Sequence, residues 1–227
     1  MAKTSQGIET KRLLLKSSSK LFCKYGYNKT KMQLIADNTG ITIGSIGYYF
    51  RKKEDIAGEL LKRYISKIYR FILQHSDGPI DSFTLHVTAS LPYYKNIYKN
   101  KATRKFYYEL ITSGSLHSDV NSNNSFRKMM DNLNRKIIKE NGVVLDDFRK
   151  TAVTIFNSGG RNAMILKLME NYFDVDEIDE AINYIGVGTG SVLGVPQDKI
   201  GIAIDYCNSF YKIHQQELDG FCVLEKY

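Results

Sequence analysis

Apolar residues in this chain recur at intervals of three and four, and no stretch alternates apolar with polar residues over the length of a strand. That periodicity favours helices packed on helices and argues against a sheet-based core, so the expected fold class is all-α. Only three prolines interrupt the 227 residues, and 43% hydrophobic content is enough to bury a sizeable core as one large domain or two smaller ones. No run approaches the ~18 apolar residues that would span a bilayer. The start, Met1-Ala-Lys-Thr-Ser-Gln, lacks the apolar stretch of a signal peptide, so the expected compartment is the cytoplasm, with no membrane partner.

Start and stop signals divide the first quarter finely. Residues 10–25 place Leu14, Leu15, Ser18, Leu21, Phe22 and Tyr25 at helical spacing, and Gly26 supplies a stop. Thr30 and Gln33 have the form of a capping box for a helix over 31–38, with Leu34 and Ile35 inward and Gly40 ending it. Thr42 is placed to cap a further helix over 43–50. Two short helices joined by a glycine-containing turn make a helix-turn-helix, whose second helix can lie in a DNA major groove. Glu54-Asp55 then suits the positive end of a new helix over 53–74, carrying Ile56, Leu60, Leu61, Tyr64, Ile65, Ile68 and Phe71 on one side. Further helical-period stretches cover 80–98, 101–114, 125–141, 146–171, 176–194 and 197–217, with Asn121 to Ser125 reading as a loop and Pro196 fitting a first turn.

Charge is distributed as unevenly as the signals. Residues 1–63 hold 13 Lys+Arg against 5 Asp+Glu, which accounts for the whole net charge of +8, while the other 164 residues balance at 19 against 19. Such asymmetry is the footprint of a small module that meets phosphates, although a merely solvated basic face would share it. Helix starts at Thr30-Lys31, Thr42 and Lys53 are candidate phosphate clamps, because unpaired amides there point outward. Base reading falls to the exposed face of 42–48, namely Thr42, Ile43, Ser45 and Tyr48, with Gln33 reaching in from the preceding helix. Tyr49 can bury its ring and offer its hydroxyl to a phosphate, whereas Phe50 reads as core.

The matches Leu14-Leu15, Leu21-Phe22, Gly26-Tyr27, Thr30, Ile35-Ala36, Gly40-Ile41-Thr42-Ile43-Gly44, Tyr49-Phe50 and Lys53-Glu54-Asp55-Ile56 fall in register over one module. In them the first 56 or so residues resemble the DNA-binding domain of the TetR family of regulators. The resemblance implies an N-terminal three-helix helix-turn-helix domain over 1–56 and a helical-bundle ligand-binding and dimerisation domain over 57–227. It implies double-stranded operator DNA, a small-molecule effector and a second copy of the chain as partners. The pattern departs from the family at Gly47, where an aromatic residue is usual; either Tyr48 takes over the contact or affinity is lower. Ser17 and Ser18 stand where alanine is common.

In the remainder, Gly186, Gly190 and Gly194 recur at four-residue spacing, forming one smooth face for the close approach of another backbone. They are the candidate dimer interface, with close packing inside one chain as the alternative. Neither a phosphate-binding Gly-x-x-x-x-Gly-Lys loop nor a dinucleotide fingerprint surrounds them. Tyr93, Tyr94, Tyr98, Phe106, Tyr107 and Tyr108 are candidates either for a ligand pocket or for plain core. The three cysteines and four histidines are too scattered for a zinc site, and no nucleophile stands in a recognisable elbow, so no metal, cofactor or catalytic residue is expected. The alternative function is a helical small-molecule-binding protein or enzyme whose basic N-terminus is only a surface. A regulator of the same fold without an inducer is a further one.

Overall fold

The computed structural model describes residues 5–114 and 124–224, and within them every regular element is a helix. The helices are α1 (Ser5–Tyr25), α2 (Met32–Thr39), α3 (Ile43–Tyr49), α4 (Lys53–His75), α5 (Ser82–Lys99), α6 (Lys101–Thr112), α7 (Ser125–Glu140), α8 (Asp147–Met169), α9 (Ile178–Val192), α10 (Gln197–Ile213) and α11 (Gln215–Asp219), with a 3-10 turn at Val175–Glu177. The all-α expectation holds, and most predicted spans are matched to within a few residues. The first helix begins at Ser5 rather than residue 10, and the stretch over 197–217 breaks at His214 into α10 and α11. Of the predicted 121–125 loop, residues 121–123 lie outside the described residues. Asn124 accepts at Oδ1 from the amides of Phe126 and Arg127, capping α7. No described helix is long and apolar enough to cross a membrane.

Two compact units form, and they do not follow a single cut after residue 56. The first comprises 1–63, 100–127 and 222–227; the second comprises 64–99 and 128–221. Position 56 closes the first turn of an unbroken α4, whose Ile56, Ala57, Leu60 and Leu61 are buried in the first unit and whose Tyr64, Ile65, Ile68 and Ile72 are buried in the second. A continuous helix shares its two ends between units wherever its apolar stripe continues.

The first unit gathers around Leu14, Leu15, Phe22, Ile35, Ile46, Ile56 and Leu61, all essentially inaccessible, each contributing roughly 1.5–3 kcal/mol on burial. Phe106 of α6 joins this core, 5.0 Å from the Phe22 ring and 6.3 Å from Tyr27. Glu109 of α6 accepts from the amide of Asn28 at 2.8 Å, and its carboxylate lies so close to Gly26 (φ +85°) that a Cβ there would push it aside as well as straining the backbone. Ser17 donates to Asn38 at 2.8 Å, fastening α1 to α2. The hydroxyls of Ser18 and Ser19 are buried without a partner, and nothing in the structure explains their choice over alanine.

The second unit packs α5 against α9 and α10. Gly186 and Gly190 are buried in that packing. A Cβ on Gly186 would touch Val87 and Ile204 at 3.3 Å, and one on Gly190 would press into Phe83 at 2.7 Å and Ile200 at 2.8 Å. Gly194 lies beyond the end of α9 in the left-handed region (φ +77°), against Val143. The three glycines are therefore not one open face: two accept the chain's own α5 and α10, and the third closes a helix. Asn96 donates to the carbonyls of Leu218 and Phe221 at 2.7 and 3.1 Å, fixing α5 to the chain beyond α10.

The outward side of α8 presents Phe148, Ala152, Ile155, Phe156, Gly159 and Ala163, spaced to form one stripe, with Phe148, Ile155 and Phe156 exposed at 81, 65 and 76%. Its inward side carries Asn157, Arg161, Ile165 and Leu168 at intervals of four, four and three.

His86 of α5 is buried, its Nδ1 3.1 Å from the Tyr69 hydroxyl of α4. Burial, and then the positive charge of Arg161, push its imidazole down to about 3. The folded chain thus binds no proton here between pH 6.5 and 3, whereas the unfolded chain does, so stability is lost as pH falls below 6.5. Between pH 7 and pH 5 this one group removes about 2 kcal/mol. That loss should be missing from His86→Gln, as the difference between the two proteins' unfolding free energies followed across that range.

Candidate nucleic-acid interface

The turn between α2 and α3 is built by backbone chemistry. Gly40 closes α2 in the left-handed region (φ +69°) with its amide donating to the Ala36 carbonyl at 2.9 Å, a conformation that strains most other residues. Two residues on, Thr42 is the N-cap of α3: its Oγ1 accepts from the Ser45 amide at 3.3 Å and lies 3.0 Å from the Ser45 hydroxyl. Ile46 and Phe50 turn into the core, and Lys11 stands over the Phe50 ring at 5.4 Å. The opposite side of α3 is consequently open.

That open side carries Thr42, Ile43, Ser45 and Tyr48, all exposed as predicted, with Tyr48 at 79%. Tyr49 is half-buried, meeting the Tyr48 ring edge-on at 5.2 Å. Lys31 and Gln33 are also exposed. Hydroxyls, an aliphatic side chain and an aromatic hydroxyl on a two-turn helix can hydrogen-bond base edges and pack on a thymine methyl. Gly44 and Gly47 leave this helix thin; a Cβ at either would meet nothing within 4 Å. Gly47→Ala should therefore stabilise the first unit by roughly 0.5–1 kcal/mol, because it removes backbone freedom without a clash. Thermal unfolding would register it as a small rise in melting temperature.

Three predicted contact residues are engaged elsewhere. Thr30 is 0% exposed and donates from its hydroxyl to the Gly26 carbonyl at 2.7 Å, while Gln33 donates to Asp37 at 2.7 Å, so the expected capping box is not made and α2 has no side-chain cap. Thr30 secures the turn after α1 and has no side chain to offer a phosphate. Lys53 donates to the Tyr27 carbonyl at 2.7 Å and lies 4.0 Å above the Tyr27 ring. Desolvation lowers its pKa against the raising effect of Glu54 and Glu109. The neighbouring Arg51 and Lys52 are exposed at the turn after α3 instead. Their signal was present in the Arg51-Lys52-Lys53 run, but only packing shows which of the three faces solvent.

Residues 14–60 match the family model for bacterial regulatory proteins of the tetR family. The N-terminal module belongs to the TetR family. Curated relatives match stretches of 83 to 96 residues. An uncharacterized HTH-type transcriptional regulator, YuxN of Bacillus subtilis, is 31% identical over 96 residues, covering 41% of this chain and 32% of that protein. The HTH-type transcriptional repressor KstR2 of Mycolicibacterium smegmatis is 29% identical over 83 residues, covering 35% of this chain and 40% of that protein. The matched segments thus span about a third to two fifths of these relatives. Among solved structures, the TetR regulator TylP of Streptomyces fradiae covers 89% of this chain and 99% of its own at a TM-score of 0.42 and 16% identity.

Proposed function

We propose that this chain is a dimeric transcriptional regulator that reads a palindromic operator through α3 and is released from it, as a repressor, by a small-molecule effector bound in its helical remainder. One observation carries the reading: the exposed side of α3, with Thr42, Ile43, Ser45 and Tyr48, lies in a TetR-family helix-turn-helix whose region holds the chain's whole excess of positive charge. Arg51, Lys52, Lys31 and outward amides supply phosphate contacts, which position the module, while the α3 side chains specify sequence. Gln33 takes part by exchanging its bond to Asp37 for a base edge. Such a regulator works in the cytoplasm, where bacterial DNA lies.

A single recognition helix reads only a few base pairs, so a palindrome requires a twofold pair of modules. The outward stripe of α8 is the proposed interface, because the glycine face of α9 is already occupied by the chain's own helices. Effector binding switches the protein only if the effector and the operator favour different conformations of the dimer. The unbroken α4, which contributes buried residues to both compact units, is the covalent link through which that preference passes.

The test is binding of the purified protein to the intergenic DNA beside its own gene and to fragments selected from randomised DNA, each titrated against random sequence. Thr42→Ala/Tyr48→Ala should weaken operator binding at least about tenfold and leave random-sequence binding nearly unchanged, since only base contacts are removed. Equal affinity for all sequences would mean that the basic module is a nonspecific surface.

A further inference from the structure

We infer that the effector is a small organic carboxylate with a ring-sized apolar body, held in the second unit with its carboxylate between Arg161 and Asn157 of α8 and the Tyr69–His86 pair. The inference rests on the reading of the helical remainder as the effector-binding part.

Asn157 is only 4% exposed, and its Nδ2 has no hydrogen-bond partner. A buried amide donor left unmade costs about 1–3 kcal/mol, so an interior that retains one needs a reason. One turn further along the same inward stripe, Arg161 is half-buried and makes no hydrogen bond or ion pair with any described residue. Residues 64–75 of α4 and the whole of α5 contain no Asp or Glu, so the helices that hold the Tyr69–His86 pair offer the guanidinium no carboxylate. Arginines withdrawn fully from water are normally paired, and an anion that covered Arg161 would supply that pairing. Two donors of this strength, four residues apart on one helix face, are matched by an acceptor that carries two oxygens and a negative charge.

The groups facing Arg161 fit the same ligand. The positive charge of Arg161 acts on both Tyr69 and His86, which are themselves joined at 3.1 Å. Burial raises the Tyr69 hydroxyl and lowers the His86 imidazole, so both stay neutral at pH 7; one proton is held in the bond between them, and the pair has one left to donate without adding or cancelling charge. Tyr94, which also acts on Tyr69, meets Tyr93 edge-on at 4.9 Å, and Tyr93 lies 5.1 Å from Tyr64. These buried rings give α4 and α5 an aromatic interior, whose chemistry matches a flat apolar body better than an inorganic anion.

The experiment uses the full chain and a probe set of benzoate, phenylacetate, salicylate and octanoate, each beside its neutral amide, followed by calorimetric titration and thermal shift. At least one ring-bearing carboxylate should bind, at least tenfold tighter than its amide, and Arg161→Gln should abolish that preference. Arg161→Gln should melt no lower than wild type without a probe, because it removes an unpaired charge; Arg161→Lys should retain part of the binding. Wild type and Arg161→Gln should bind operator DNA alike, with the carboxylate releasing wild type alone. Amides binding as well as acids, an Arg161→Gln protein that binds the acids unchanged, or no ring-bearing acid that binds would overturn the inference. The DNA titration without probes separates this failure from failure of the regulator reading.

Discussion

Gly190→Val is expected to destabilise the chain by about 3 kcal/mol, whereas Gly188→Ala, two residues away, should leave stability unchanged or slightly raised. The same helix presents both glycines, but their surroundings differ. A Cβ at Gly190 presses into Phe83 and Ile200, themselves nearly inaccessible, so the neighbours cannot swing aside into solvent. A Cβ at Gly188 meets nothing within 4 Å. Urea unfolding followed by circular dichroism measures the difference directly. If Gly190→Val kept wild-type stability and instead lost self-association, α9 would present its glycines to another chain, and the packing of α5 and α10 on it would have to be abandoned.

The second large effect concerns α8. Ile155→Glu/Phe156→Glu should convert the protein to a monomer while moving its melting temperature little, since both side chains are exposed within the chain. Burying two carboxylates at the centre of an apolar interface is far more costly than leaving them in water. Operator affinity should fall about 100-fold or more, because two modules no longer bind as one linked pair. Sedimentation velocity and the operator titration report the two consequences separately. A double variant that stays dimeric would move the interface off this stripe.

What could be read from the residues alone follows the range of the forces involved. Gly40 and Thr42 announce the turn between α2 and α3 because a left-handed stop and a hydroxyl cap act within a few residues. For the same reason the side of α3 that is exposed was legible: a seven-residue helix with Ile46 inward leaves Thr42, Ile43, Ser45 and Tyr48 outward. Where competing partners were equally local, the pattern misled. Thr30 had Gly26 four residues behind it as well as an amide three ahead, and the backward bond is the one formed.

Residue patterning by itself determined the all-helical class, the helix-turn-helix and its outward face, and the concentration of positive charge in the first quarter of the chain, since each is written in neighbours three or four positions apart. Only the tertiary structure decided that Lys53 turns back onto Tyr27, that α6 completes the first unit, that Gly190 receives Phe83, and that His86 is buried against Tyr69. Those outcomes join residues separated by 17 to more than 100 positions in the sequence, and at that distance the partner is chosen by the packing of whole helices and not by any feature of the residue itself.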